Sequence, residues 1–152
     1  MLKKLLTIAL FTLLLTPSLA SAKDFKFVYF STGGTTAMAT QERIVVEGNQ
    51  VKVFRHAKQL GEGPEKRQST QNYPISKKQM EKFIEIVKIS GFMTWPKNPD
   101  VPHKSHADEY IEITLDGKTV RHNKWEKGHE ESFRILYTHF NTWFTDVRSV
   151  RF

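Results

Sequence analysis

The sequence predicts an α+β fold: a single antiparallel sheet of four to six strands with two amphipathic helices packed on one face. Three observations predict it. Gly48-Asn49 and Asp116-Gly117 each sit between β-branched runs, where a two-residue hairpin turn belongs. Two further segments, 76–90 and 129–146, carry apolar residues at helical spacing. Each helix stripe needs a surface to cover, and sequence-adjacent strands tend to pair antiparallel.

Residues 24–30 alternate as a strand, with Phe25, Phe27 and Tyr29 on one face and Lys26, Val28 and Phe30 on the other. Apolar side chains on both faces predict a central strand. Residues 31–40 are small and polar and include Gly33-Gly34, which suits a loop or a loosely paired extension. In the first hairpin, Glu47 opposite Gln50 pairs Val46 with Val51 and Ile44 with Val53, one shared core face. Residues 56–72 are polar and read as a loop, with an edge strand over 67–73.

The helix over 76–90 begins with a capping box, in which Ser76 and Gln79 each satisfy a free amide of the other. Ile75 and Met80 have the spacing of the flanking hydrophobic staple. Met80, Phe83, Ile84 and Val87 make the stripe, and Gly91 suits a left-handed stop before Phe92. A proline-bearing loop covers 95–108. The second hairpin pairs Ile113 with Val120, Ile111 with His122 and Glu112 with Arg121. The last helix presents Phe133, Leu136, Tyr137, Phe140, Trp143 and Phe144.

The N-terminus predicts an exported precursor. Lys3 and Lys4 precede an apolar run over 5–15, Pro17 breaks it, and Ala20-Ser21-Ala22 supplies small residues for cleavage. The run is too short to span a bilayer, and no later segment is long and apolar enough. Residues 1–22 are therefore expected to be a signal peptide and 23–152 a single domain in the periplasm or outside the cell. Cleavage removes two lysines and no acid, lowering the formal charge from +7 to +5. The basic residues form no dense run, so nucleic acid is not an expected partner. The chain has no cysteine, which excludes disulfides, thiol catalysis and thiolate metal sites.

Catalytic motifs are absent. No Gly-x-Ser-x-Gly elbow and no His-Glu-x-x-His helix occurs, and Gly33-Gly34 lacks the Lys-Ser/Thr of a phosphate loop. Glu109 and Glu112 fall on opposite strand faces, which argues against a carboxylate pair. His103, His106 and Asp108 offer ligand types suited to zinc, but a loop spacing fixes no geometry. His122 is expected to point at the core face as a satisfied histidine. Thr32, Gly33, Gly34 and Thr35 form a flexible segment suited to entering a partner's cleft, and Tyr110 is expected on the outer sheet face beside Glu112 and Arg121.

The order of a strand before Gly33-Gly34, a capped helix ending in Gly91-Phe92, Pro99-Asp100, the strand Asp108-Glu109-Tyr110-Ile111-Glu112-Ile113, an Asp-Gly turn and a final amphipathic helix resembles emfourin. Emfourins are small proteinaceous inhibitors of thermolysin-like metalloproteases. The layout also resembles that of small exported bacterial domains of unassigned role. The likeness is a spaced pattern over residues 25–144, and it departs from the family in the long segment 56–73 and in the signal peptide. It implies binding to an exported protein such as a protease, with the Gly33-Gly34 region in contact. The functional expectation is a non-enzymatic binding module without a cofactor. The alternatives are a metal-dependent or hydrolytic enzyme using the His103/His106 loop, or a structural envelope protein.

Overall fold

Hydrogen bonding follows from the sequence pattern with one addition, namely that polar segments continue the strands. The computed structural model describes residues 24–34, 38–59, 66–97, 108–126 and 128–149. The expected signal peptide at 1–22 lies outside these residues. Six strands form one sheet: β1 (Lys26–Gly34), β2 (Met38–Glu47), β3 (Gln50–Gln59), β4 (Lys66–Pro74), β5 (Glu109–Leu115) and β6 (Lys118–Asn123). Their spatial order is β4-β3-β2-β1-β5-β6, and every neighbouring pair is antiparallel. Two helices follow the hairpins, α1 (Lys77–Ile89) and α2 (Glu130–Ser149). This is the expected α+β architecture, at the upper end of the expected strand number.

Both hairpin registers agree with the sequence. Val46 pairs with Val51 and Ile44 with Val53, while Ile113 pairs with Val120 and Ile111 with His122. The turn residues explain this. Asp116, Gly117 and Gly48 all adopt positive φ, which a tight turn needs and β-branched residues avoid. Strand β1 is central, bonded to β2 on one side and β5 on the other.

Two polar segments extend the sheet, the first as the paired extension that is one of the two expectations for 31–40. Residues 31–34 and 38–41 are paired, with Thr32 opposite Gln41 and Gly33 opposite Thr40. Strand β3 runs on to Gln59 into the expected loop, and β4 is the edge strand expected over 67–73. These stretches bury no apolar face, so they show no period-two pattern, and their backbone bonds alone carry the pairing.

Both helices lie on the sheet face that presents Phe27, Tyr29, Ile44, Val46, Ile111 and Ile113. Phe83 of α1 stacks on Trp143 of α2 at 4.4 Å and meets Phe27 edge-on at 5.0 Å. Phe140 packs on Phe27 at 4.7 Å. Each such ring pair adds about 0.5–1.5 kcal/mol beyond area burial. The Trp143 indole donates to the Gln79 carbonyl at 2.9 Å, tying α2 to the first turn of α1. The capping box at Ser76 forms as the sequence predicts. Gly91 takes φ 68, and the indole of Trp95 donates to the Ser90 carbonyl at the helix end. No described helix is long and apolar enough to cross a membrane.

Candidate functional site

Alternation along the strands gives the sheet a second face, which no described helix covers. Pairing sets its side chains in rows across the strands. One row runs Thr70, Phe54, Arg43, Phe30, Tyr110 and Asn123 from β4 to β6. The neighbouring row runs Asn72, Lys52, Val45, Val28, Glu112 and Arg121. The two valines are buried, whereas Phe54 is 39% exposed and Arg43 is exposed.

Tyr110 takes the position expected of it. Its ring stacks on Phe30 at 5.0 Å, and the Arg121 guanidinium lies over it at 4.2 Å. Glu112 holds that guanidinium, accepting from Arg121 Nε at 2.8 Å. The arginine is thereby held over the ring. Arg43 and Lys52 make no ion pair among the described residues, which leaves this face with uncompensated positive charge.

Thr32 lies on the same face, one step beyond Phe30. Its Oγ1 accepts from the Asp108 amide at 2.8 Å, and its own amide donates to the Asp108 carbonyl at 2.8 Å. The structure thus joins two residues that the sequence treats as separate candidates. Gly33 and Gly34 end β1. Gly34 adopts φ 146, and a Cβ there would meet the Met38 carbonyl oxygen at 2.2 Å. Only glycine lets β1 and β2 approach this closely. Thr35 lies outside the described residues, as do His103 and His106. Asp108 is therefore the one member of the expected metal-ligand set that the structure places, and it is held by Thr32.

Past residue 30 the strands β1 to β4 leave the helices behind. No described side chain in 31–34, 38–43, 54–58 or 67–72 is buried. Six residues of β2 project about 20 Å at the usual strand rise. Shallow concavities of about 370 and 540 Å³ flank this projection. The first lies on the helix-free face around Arg43, Phe54, His56 and Thr70, and the second on the opposite face around Ser31, Glu42, Arg55 and Ser69.

A second constellation, which sequence reasoning missed, gathers where β6 turns into α2. His122 is fully buried on the helix-covered face, as its register requires. Its Nδ1 lies 2.8 Å from Glu126 Oε2, and Glu126 Oε1 accepts from the Asn123 amide at 2.9 Å. His122 Nε2 is buried without a hydrogen-bond partner, so the expectation of a satisfied histidine holds for one nitrogen only. His129 donates from Nε2 to the Pro96 carbonyl at 2.8 Å, and its ring stacks on Trp95 at 5.4 Å. The only signal in the sequence was the spacing His-x-x-x-Glu-x-x-His, which spans a strand end, a turn and a helix start and so matches no helical ligand motif.

No protein-family model matches the chain, and no curated protein is significantly similar to it. The geometry of the two surfaces therefore carries the functional argument. Glu109 and Glu112 are separated as expected. Glu109 accepts from Tyr29 and Lys124 on the helix side, and Glu112 pairs with Arg121 on the other. The hydrogen bonds described for histidines go to Glu126 and Pro96, and none joins a histidine to a serine or threonine.

Proposed function

We propose that the protein is an exported, non-enzymatic binding module that holds a protein partner against the helix-free face of its sheet. The row Phe54, Arg43, Phe30 and Tyr110 carries this reading. Aromatic and arginine side chains in one continuous row are the residue types that dominate protein interfaces. Arg43 and Lys52 select a partner surface bearing acidic groups. The projection adds contact area at a net ordering cost, since each fixed residue loses about 1–2 kcal/mol of backbone entropy while burying nothing. Such strands serve the core poorly and a partner well. Thr32, Gly33 and Gly34 lie at the same projecting end, and the resemblance to emfourin makes a secreted metalloprotease the first partner class to test.

The assay is inhibition of a thermolysin-like metalloprotease by the processed chain. The proposal expects dose-dependent inhibition at micromolar concentration that weakens at least tenfold in Arg43→Glu. No inhibition at that concentration removes the protease as partner.

A further inference from the structure

We propose that His122, Glu126 and His129 form a binding site for one divalent transition-metal ion of the zinc or copper class. The site is independent of the sheet face above. One ligand-capable atom from each of the three residues lies within 4.8 Å of the other two. A tetrahedral ion with bonds near 2.0–2.1 Å holds its ligands about 3.4 Å apart, so the longer ligand distances must contract and the shortest must widen by about half an ångström. The pair His122 Nδ1 and Glu126 Oε2 is already at 2.8 Å. An ion takes the place of their hydrogen bond when the imidazole carries its proton on Nε2, which leaves the Nδ1 lone pair free to ligate.

The surroundings supply what such a site needs. Glu126 is fixed by the Asn123 amide through its other oxygen. His129 gives its Nε2 proton to the Pro96 carbonyl, so its lone pair stands on Nδ1. A ligating imidazole whose second nitrogen donates to a carbonyl is the usual outer-shell arrangement for metal-binding histidines. Phe92 and Trp95 wall the cluster, with Phe92 edge-on to His122 at 4.9 Å and Trp95 tilted on it at 5.4 Å. Apolar walls exclude competing water and strengthen the ion's hold on its ligands. The ligands are imidazole and carboxylate only, a set that suits zinc, copper or nickel over calcium or magnesium.

Different local structures deliver the three residues, which accounts for the missed motif. His122 is the penultimate residue of β6, Glu126 closes a turn through its amide to the Asn123 carbonyl at 3.1 Å, and His129 precedes α2 with its carbonyl accepting from Phe133.

The test is isothermal titration of Zn²⁺ into the processed chain, purified without a histidine tag and stripped with EDTA. Quenching of tryptophan fluorescence by Cu²⁺ is followed in parallel, because Trp95 stacks on His129. One equivalent of Zn²⁺ should bind, and His129→Gln and Glu126→Gln should each weaken it at least tenfold. His103→Ala/His106→Ala should bind as the unchanged chain does. Circular dichroism of each variant separates lost ligands from lost fold, and the unchanged chain alone must show the one-to-one stoichiometry. Absence of saturable binding to the unchanged chain overturns the proposal. So does binding that survives His129→Gln and Glu126→Gln but disappears in His103→Ala/His106→Ala.

Discussion

Tyr29 shows how a single residue serves the sheet and the helix layer together. Its ring packs on Tyr137 of α2 at 4.6 Å, and its hydroxyl donates to Glu109 at 3.0 Å. Lys124 holds the same carboxylate at 2.7 Å. Burial, reinforced by a hydrogen bond with Tyr137, pushes the Tyr29 phenol well above its ordinary range. A group that holds its proton more tightly when folded contributes stability that is complete below its unfolded pKa, about 10 for tyrosine. That contribution is lost as the pH rises further. Tyr29→Phe should therefore cost about 1 kcal/mol near neutrality, through the lost hydrogen bond. Urea unfolding at pH 8 and above pH 10 checks it: the gap between unchanged and variant chains should narrow at the higher pH. A gap that widens there would contradict the assignment. Tyr29 on the core face was legible from strand alternation, but its tie to Glu109 was not, because the two residues are far apart in sequence.

At the scale of elements, turns and apolar pairs made both hairpins readable, and the same rules hid the projecting ends. Val46 with Val51 and Ile113 with Val120 could align in only one way that kept a buried face. Residues 38–41 and 56–59 offer no such face, so pairing there left no mark in the pattern. Gly34 is the position where this projection depends on one residue. Its backbone lies so near β2 that an added Cβ meets the Met38 carbonyl oxygen. Gly34→Ala should part the ends of β1 and β2 while leaving the core pairs intact. Amide hydrogen exchange should speed up at Gly33 and Thr40 and stay unchanged at Phe27 and Val46. Uniform acceleration across β1 and β2 would mean that the projection and the core open as one unit. The metal-ligand cluster was hidden for a related reason, since its residues straddle the boundary between β6 and α2.

At the scale of the whole molecule, the two sheet faces differ in what they bury. The helix-covered face holds the packed rings of Phe27, Phe83, Phe140 and Trp143, and the other keeps Phe54 and Arg43 at the surface. The fold class was legible because every apolar stripe had one place to go. The composition of the second face was legible only in part. Tyr110, Glu112 and Arg121 followed from one hairpin register and Arg43 with Phe54 from the other, whereas joining them through Phe30 required the full strand order. The most direct test of its role places a photo-crosslinking residue at Phe54 and, as a control, at Glu85 on the outer side of α1. Irradiation in the producing cells should give a discrete adduct with an exported protein from position 54 and none from position 85, and Arg43→Glu should abolish it. Equal adducts from both positions, or none from position 54, would contradict binding through this face.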